Sequence, residues 1–91
     1  MKYQIKYSKE FKKGLKKLQN DQKSIDLAKS IIKRLANDES LEPKYKDHKL
    51  TGDYLGFREC HLRPNLLLIY KKQEQILLLT CIALGSHSEL F

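Results

Sequence analysis

Three histidines lie in the C-terminal half of this 91-residue chain, at His48, His61 and His87. Histidine changes charge near neutral pH, with an unperturbed pKa of about 6.5, so its side chain can both accept and donate a proton at physiological pH. Cleavage of RNA without a metal needs both actions, because one group takes the proton of the attacking 2′-hydroxyl and another protonates the departing 5′-oxygen. The three positions are therefore candidate general acids and bases.

Cationic side chains surround two of these histidines. A transferring phosphoryl group gathers negative charge on its oxygens, and fixed cations stabilise that charge. A three-histidine zinc site is an alternative use of the same residues, but no two of them have the spacing of one helix face. We therefore expect proton transfer, with no metal and no other cofactor. The cations are Arg58 and Arg63 beside His61, and Lys44, Lys46 and Lys49 beside His48.

The overall charge indicates a polyanionic partner. The chain carries 18 Lys and Arg residues against 11 Asp and Glu residues, which gives a formal net charge of +7. Such a surface attracts RNA, DNA or an acidic protein segment, and composition does not separate the three. A lysine-rich surface that serves only solubility is the remaining interpretation.

Composition and hydropathy patterning predict one globular domain, residues 1–91, in the cytoplasm. Hydrophobic residues make up 41% of the chain and charged residues 32%, a balance typical of a folded protein. No apolar run approaches the length of about eighteen residues that a membrane-spanning helix needs. The alternating segment from Met1 to Lys6 lacks the apolar core of a signal peptide. Cys60 and Cys81 each lie within an apolar segment, which predicts buried free thiols.

The first half of the chain predicts a strand and two helices. Tyr3, Ile5 and Tyr7 alternate with polar residues, as in a strand with one buried face. Ser8 is a helix N-cap, and helical spacing then continues to about Asn20. The short link to the second helix predicts an antiparallel hairpin. The first helix has Phe11, Leu15 and Leu18 on its apolar side and Lys12, Lys13, Lys16 and Lys17 elsewhere, and the second has Ile25, Ala28, Ile31, Ile32 and Leu35 and ends near Asn37 and Asp38.

The second half predicts a long loop and three strands. The loop covers residues 39–53, and long loops in compact domains often carry function. Short connections at residues 63–65 and 72–75 predict an antiparallel meander. Continuous apolar runs in the last two strands predict that both sheet faces are covered, one by the helices and the other by a partner or ligand. The strands are predicted near residues 55–62, 66–71 and 76–83.

A set of ordered motifs spans residues 45–91. It consists of Tyr45-Lys46-Asp47-His48, Leu50, Gly52, Gly56-Phe57-Arg58-Glu59-Cys60-His61, Pro64, Leu67-Leu68-Ile69-Tyr70 and Gly85-Ser86-His87-Ser88-Glu89-Leu90-Phe91. With these motifs and their spacing, the chain resembles the YafQ branch of the RelE/ParE-type bacterial toxins. The most specific parts are the Asp47-His48 loop and the closing segment from Gly85 to Phe91.

The resemblance implies an α+β fold with an N-terminal strand, a two-helix antiparallel hairpin and a three-stranded antiparallel meander. The helices would pack on one face of the sheet, and the active site would lie on the other. It also implies a ribosome-dependent endoribonuclease that cleaves messenger RNA in the ribosomal A site by 2′-hydroxyl attack on the adjacent phosphate.

The same resemblance assigns roles to individual residues. His87 matches the favoured general acid, and His48 and His61 match positions that act as base or phosphate contact. Phe91 matches a C-terminal aromatic residue that contacts the substrate base, where stacking gives affinity with little sequence demand. A hydrophobic end that packs on the sheet is the alternative for Phe91. The further expected substrate contacts are Arg58, Arg63, Lys46 and Asn65.

Three kinds of partner follow from the resemblance. A cognate antitoxin would lay its C-terminal segment across the toxin, and an acidic antitoxin would suit the positive net charge. The ribosome and its messenger RNA would be the target. Operator DNA would be bound through the toxin–antitoxin complex. The lysine-rich face of the first helix would contact ribosomal RNA phosphates or simply face solvent.

Two residues depart from the family pattern. Asn65 stands where an acidic residue is common, and an amide cannot exchange a proton at pH 7. Ala83 stands where many members carry an arginine, a cation whose loss weakens transition-state stabilisation unless Arg58 replaces it. These departures leave open a binding-only homologue that grips its antitoxin and represses their operon without cleaving RNA. Gyrase poisoning of the ParE type is a third alternative, disfavoured because those proteins lack this histidine set.

Overall fold

The computed structural model describes all residues from Met1 to Phe91. Its main elements are β1 (Gln4–Tyr7), α1 (Lys9–Lys17), α2 (Gln22–Ala36), β2 (His48–Lys49), β3 (Arg58–Arg63), β4 (Leu66–Gln73), β5 (Leu78–Gly85) and α3 (His87–Leu90). The five strands form one sheet in the order β1-β5-β4-β3-β2, in which only β1 and β5 are parallel. The predicted α+β fold with its C-terminal meander is confirmed. No helix combines the length and the apolar content that crossing a membrane requires.

Side-chain caps define the start of both long helices. The Ser8 hydroxyl oxygen accepts a hydrogen bond from the backbone N of Phe11 at 3.0 Å, as its predicted capping role requires. Asp21 caps α2 in the same way and accepts from the backbone N of Ser24 at 3.2 Å. The α1 helix ends at Lys17, three residues before the predicted end, because the chain then tightens into a turn.

The α1 helix packs directly on the last strand of the sheet. Gly14 lies against the backbone of Leu84, and a Cβ atom at position 14 would come within 1.9 Å of the Leu84 carbonyl oxygen. No contact between real atoms is that short, so a side chain at this position would push helix and strand apart. The absent side chain therefore sets the distance between α1 and β5.

The hydrophobic core lies between the helices and one face of the sheet. It contains Phe11 of α1, the apolar side of α2, and alternate residues of β3, β4 and β5. Cys60 and Cys81 are both buried and free, which confirms the prediction for the two thiols. Burial raises the pKa of each thiol to about 12, so both stay protonated at neutral pH.

A left-handed residue ends α2. The backbone N of Asp38 donates to the Leu35 carbonyl at 3.0 Å, and that of Glu39 donates to the Arg34 carbonyl at 3.0 Å. Asp38 has φ of +63°, where glycine is the usual residue. The Asp38 side chain offsets the cost of this backbone conformation, because its carboxylate accepts hydrogen bonds from the Lys2 ammonium at 2.8 Å and the Lys72 ammonium at 2.7 Å. The end of α2 is thereby joined to the chain before β1 and to β4.

Replacement of Asp38 by asparagine should remove a pH-dependent part of the stability. Hydrogen bonds from Lys2 and Lys72 lower the pKa of Asp38 from 3.8 to about 2 in the folded chain. The stabilisation is therefore complete above pH 4 and is lost as the pH falls towards 2. Asparagine tolerates the same backbone conformation. In urea unfolding, the wild type should exceed Asp38→Asn at pH 5 and lose that advantage at pH 2.5, and an advantage independent of pH would contradict the argument.

Further features differ from the sequence prediction, and the first is that β3 begins at Arg58 and not at residue 55. β5 begins at Leu78 and not at residue 76, because Leu77 turns with φ of +51° and leaves Ile76 exposed. The long loop contains the short strand β2 and two 3-10 turns, Pro43–Tyr45 and Gly52–Tyr54. The helix α3 was not predicted, since four residues give no helical periodicity.

The second face of the sheet is covered in part by the chain itself. Leu67 and Ile69 lie on the face away from the core cluster, yet both are buried. Ile69 shares a cleft with Tyr54 from the second 3-10 turn and with Leu90 of α3. The prediction that a partner or ligand provides this cover is therefore corrected, since the C-terminal segment and the long loop provide much of it.

Candidate active site

The pairing of β2 with β3 brings two of the predicted histidines to one face. His48 lies opposite Glu59 in the register of the two strands. Side chains alternate along a strand, so Glu59 and His61 share a face while Cys60 between them enters the core. His48, Glu59 and His61 therefore lie together on the sheet face that is turned away from the helices.

Glu59 lies between the two imidazoles and was not identified from the sequence. Its side chain is only 7% exposed, and its Oε1 atom lies 3.1 Å from His61 Nε2 and 3.8 Å from His48 Nε2. The centroids of the two rings are 6.2 Å apart. The signal that was available is the position of Glu59 two residues before His61 in a predicted strand, which places both side chains on one face.

In each ring one nitrogen faces an acceptor and the other is open, and the open nitrogen differs between His48 and His61. His48 Nδ1 lies 2.5 Å from the Lys46 carbonyl oxygen, which can only accept, so Nδ1 carries a hydrogen. In the neutral ring the lone pair is then on Nε2. His61 presents Nε2 to the Glu59 carboxylate, which is also an acceptor only, so the open nitrogen of neutral His61 is Nδ1. His48 Nε2, which lies 3.8 Å from Glu59 Oε1, can thus accept a proton.

A partly buried triad on the core side of the sheet holds the loop that carries His48. The Tyr70 hydroxyl donates to Asp47 Oδ1 at 2.5 Å, and Arg58 Nε donates to the same oxygen at 3.3 Å and to the Tyr70 hydroxyl at 3.2 Å. Burial, with the neighbouring Asp47 carboxylate, raises the pKa of Tyr70 far above its usual range, so the hydroxyl stays a donor. Asp47 is fixed in this way, and His48 follows it directly in the chain.

Replacement of Tyr70 by phenylalanine should destabilise the protein by about 1.5–3 kcal/mol, because a hydrogen bond to a charged group is lost in a buried position. Urea unfolding measures this change. Tyr7→Phe is the matched control, since the Tyr7 side chain is exposed and its hydroxyl makes no hydrogen bond. An equal effect of the two replacements would show that the bond to Asp47 contributes nothing.

Arg58 does not face the histidines. It lies two residues before Cys60 in β3, so it shares the core-side face and not the face of Glu59 and His61. Partial burial alone would lower the pKa of Arg58, but the hydrogen bonds to Tyr70 and Asp47 raise it overall. The structure places the Arg58 guanidinium beside Asp47 and Tyr70, away from the histidines, and its expected contact with substrate stays a prediction.

The departure at position 83 lies on the other side of the sheet from Arg58. Ala83 lies opposite Ile69, and Ile69 lies opposite Glu59, so position 83 is in register with the histidine face. A cation at this position would lie on the face that Arg58 cannot reach. Strand alternation places Ala83 and Arg58 on opposite sides of the sheet, so the alternative in which Arg58 supplies this cation is disfavoured.

The third histidine belongs to an aromatic group at the end of the chain. Ser86 caps α3, with its hydroxyl accepting from Glu89 N and its own backbone N donating to the Glu89 carboxylate at 2.8 Å. His87 and Phe91 then lie one turn apart, with ring centroids 5.0 Å apart. The Phe91 ring meets Tyr54 edge-on at 5.1 Å and remains 47% exposed.

The strand register brings this aromatic group towards the other two histidines. Leu67 of β4 lies opposite His61 of β3 on one side and opposite Gly85 of β5 on the other. Two strand spacings, roughly 10 Å, therefore separate the backbones at His61 and Gly85. His87 follows Gly85 by two residues, so its backbone enters α3 at the end of the sheet where His61 lies.

The remaining predicted substrate contacts lie at the edge of this face. Lys46 is exposed, with φ of +47°, and its carbonyl is the one that holds His48. Arg63 ends β3 and donates from Nε to the Ser24 hydroxyl of α2 at 2.9 Å. Asn65 is exposed in the turn between β3 and β4. In this chain no three His, Cys, Asp or Glu side chains form a group that could hold a metal ion.

Known proteins with this sequence pattern and fold are bacterial toxins. The mRNA interferase toxin YafQ of Escherichia coli K12 is 34% identical over 88 residues, which cover 96% of this chain and 94% of that protein. A metal-bound toxin from Helicobacter pylori has a crystal structure that superposes with a TM-score of 0.89, at 46% identity over 98% of this chain and 99% of that one. The E. coli DinJ-YafQ complex superposes with a TM-score of 0.86, at 34% identity over 98% of both chains.

The family comparison covers almost the whole sequence. The model of the family described as "Bacterial toxin of type II toxin-antitoxin system, YafQ" matches residues 3–91. This range includes the strand β1, all three histidines and Phe91. The chain therefore belongs to the YafQ family of type II toxin-antitoxin toxins.

Proposed function

We propose that this chain is an endoribonuclease that cleaves messenger RNA in the ribosomal A site and is silenced by a cognate antitoxin. The observation that carries the proposal is the histidine face, on which His48 and His61 lie on either side of Glu59 at the end of the sheet where His87 and Phe91 follow β5. Two separately oriented imidazoles and a third on an adjacent element are what acid–base cleavage of a phosphodiester needs.

The reaction follows from the free atoms of these side chains. His48 Nε2 takes the proton of the 2′-hydroxyl, and the 2′-oxygen then forms a bond to the adjacent phosphorus. His87 gives a proton to the 5′-oxygen as the bond from phosphorus to that oxygen breaks. The products are a 2′,3′-cyclic phosphate and a 5′-hydroxyl end. His61, oriented by Glu59, stabilises the phosphoryl oxygens by donating a hydrogen bond when it is protonated.

The exposed Phe91 ring supports a role in substrate binding over a purely packed end. Its ring contacts His87 and Tyr54, yet 47% of the residue is open to solvent and accessible to a nucleobase. Stacking on an aromatic ring holds a base with little dependence on its identity. We expect this stacking to hold the nucleotide next to His87.

The partners follow the same proposal. The E. coli relative forms a complex with DinJ, and a comparable antitoxin with an acidic segment would be attracted by the net charge of +7 on this chain. Binding of that segment over the histidine face would exclude RNA. The toxin–antitoxin complex would then bind operator DNA, with the protein acting in the cytoplasm.

The test is induced expression of the wild-type chain in cells that lack the antitoxin, with mapping of messenger RNA 5′ ends. Growth arrest with new 5′ ends inside codons and in the translated frame is the expected result. Translation-independent cuts would remove the ribosomal part of the proposal. Intact messenger RNA would remove the nuclease itself.

A binding-only homologue is the second candidate, and Asn65 and Ala83 favour it. Asn65 offers no exchangeable proton, and Ala83 leaves the histidine face without a cation in register with Glu59. Such a protein would bind its antitoxin and repress the operon while leaving messenger RNA intact. The same 5′-end mapping distinguishes it from the nuclease.

A further inference from the structure

We propose that the RNA strand leaves the histidine face through a basic groove beside His61, which we call the α2 groove. The groove lies between the first turns of α2, the Pro43–Tyr45 turn and the β3–β4 connection. This inference rests on the proposed nuclease function and names where that substrate binds beyond the scissile phosphate.

The α2 groove is continuous with the site and large enough for part of an RNA strand. Its volume is about 900 Å³, near the upper end of the 300–1,000 Å³ that ligand pockets usually have. His61 is one of its lining residues, so a strand bound there reaches an imidazole of the histidine face without crossing the sheet. The charged residues that line it are Lys23, Lys44, Lys46, Arg63 and Asp26.

The charge of this groove distinguishes it from the other large cavity. Four cations and one carboxylate line the α2 groove. The cavity on the core side of the sheet, about 840 Å³, contains the triad of Asp47, Arg58 and Tyr70, and its four cations are outnumbered by five carboxylates. A polyanion is therefore attracted to the α2 groove and not to the cavity on the core side. The excess of positive charge lies at the end of β3, where His61 lines the groove.

Arg63 is held in place for this role. Its Nε donates to the Ser24 hydroxyl at 2.9 Å, and that hydroxyl donates to Asp21 Oδ2 at 2.7 Å, so the chain of bonds ends on the helix cap. Ser24 is almost fully buried, which fixes the geometry of the pair. The Nη groups of Arg63 make no hydrogen bond within the protein and can donate to two phosphate oxygens.

The opposite wall combines a cation with an aromatic ring. Lys44 Nζ lies 5.1 Å from the centroid of the Tyr45 ring, and both residues line the groove. The ring packs against the hydrophobic core and holds the Lys44 ammonium over its face, so this cation is positioned at the groove wall to contact a phosphate. RNA is favoured over an acidic peptide as the occupant because the groove is continuous with the histidine face.

The test compares two charge-matched double variants of the full-length protein. Lys23→Gln with Lys44→Gln removes two groove cations, and Lys29→Gln with Lys33→Gln removes two exposed cations of α2 that do not line the α2 groove. The probe is a fluorescein-labelled single-stranded RNA of about ten nucleotides with 2′-O-methyl riboses, which cannot be cleaved. Loss of two phosphate contacts should weaken binding on the order of ten-fold and lower the slope of log K against log salt by about 1.4.

Several results would overturn the proposal. These are equal losses in the two double variants, no binding of the probe by the wild type, or a groove variant that binds RNA normally but loses affinity for an acidic antitoxin peptide. The last result would assign the groove to the protein partner. Single-turnover cleavage on ribosomes is measured in parallel, because a wild type that binds RNA through the groove but does not cleave it would refute the nuclease function alone.

Discussion

Replacement of His87 by glutamine should lower the rate of messenger RNA cleavage by about 10²- to 10⁴-fold, the range that positioned acid–base groups contribute. Glutamine keeps a hydrogen-bond donor of similar reach but cannot give up a proton to the leaving 5′-oxygen. The loss should appear in the cleavage step at saturating ribosome concentration, because His87 is exposed and is assigned to the chemistry and not to docking.

The control for His87→Gln is its free energy of unfolding, which shows whether the variant is still folded. The His87 ring contacts Phe91 at the exposed end of the chain, so the unfolding free energy should change by less than about 0.5 kcal/mol. Ser88→Ala is the matched neighbour, since Ser88 is exposed in the same short helix and should keep full activity. Full cleavage by a folded His87→Gln protein would remove His87 from the reaction and leave His61 as the only candidate acid.

Replacement of Gly14 by alanine should destabilise the fold by about 1–3 kcal/mol, because overpacking forces backbone shifts. Two effects oppose each other at this position. Alanine has a higher helix propensity than glycine by about 1 kcal/mol. The added methyl group would, however, lie 1.9 Å from a backbone carbonyl of β5, and a strand held in the sheet cannot move aside as a flexible side chain would. We expect the clash to exceed the gain in propensity.

Ser30→Ala provides the comparison for Gly14→Ala. Ser30 is exposed in the middle of α2, so its replacement changes propensity without packing and should stabilise the protein slightly. Urea unfolding of both variants separates the two effects. A Gly14→Ala protein more stable than the wild type would mean that α1 and β5 lie farther apart than the structure has them.

The sequence predicted those helix starts and strands that depend on a few residues close together in the chain. Ser8 caps α1 because its hydroxyl reaches a backbone N three residues later, and that spacing is visible in the sequence. The alternation of Tyr3, Ile5 and Tyr7 predicted β1, but its parallel pairing with β5 could not be predicted. Partners more than 70 residues apart leave no local pattern.

The candidate site was predictable only in part for the same reason. The residue types at positions 48, 61 and 87 indicated acid–base chemistry, but the position of Glu59 between two of them depends on the register between β2 and β3. The contact of Arg63 with Ser24 joins residues 39 positions apart, which sequence spacing does not reveal. Arg58 was expected near His61 because the two residues are close in sequence. Side chains alternate between the two faces of a strand, so residues three positions apart point to opposite sides.

The parallel pairing of β1 with β5 also orders events during synthesis. β1 has no other strand as neighbour, and α1 packs on β5, so the first part of the chain finds its place only after residues 78–85 have been made. His87 and Phe91 are made directly after that strand. A growing chain therefore gains its tertiary structure and the side chains of His87 and Phe91 together. A translation product that stops before β5 would be unfolded and open to proteolysis, and it would have no partial activity.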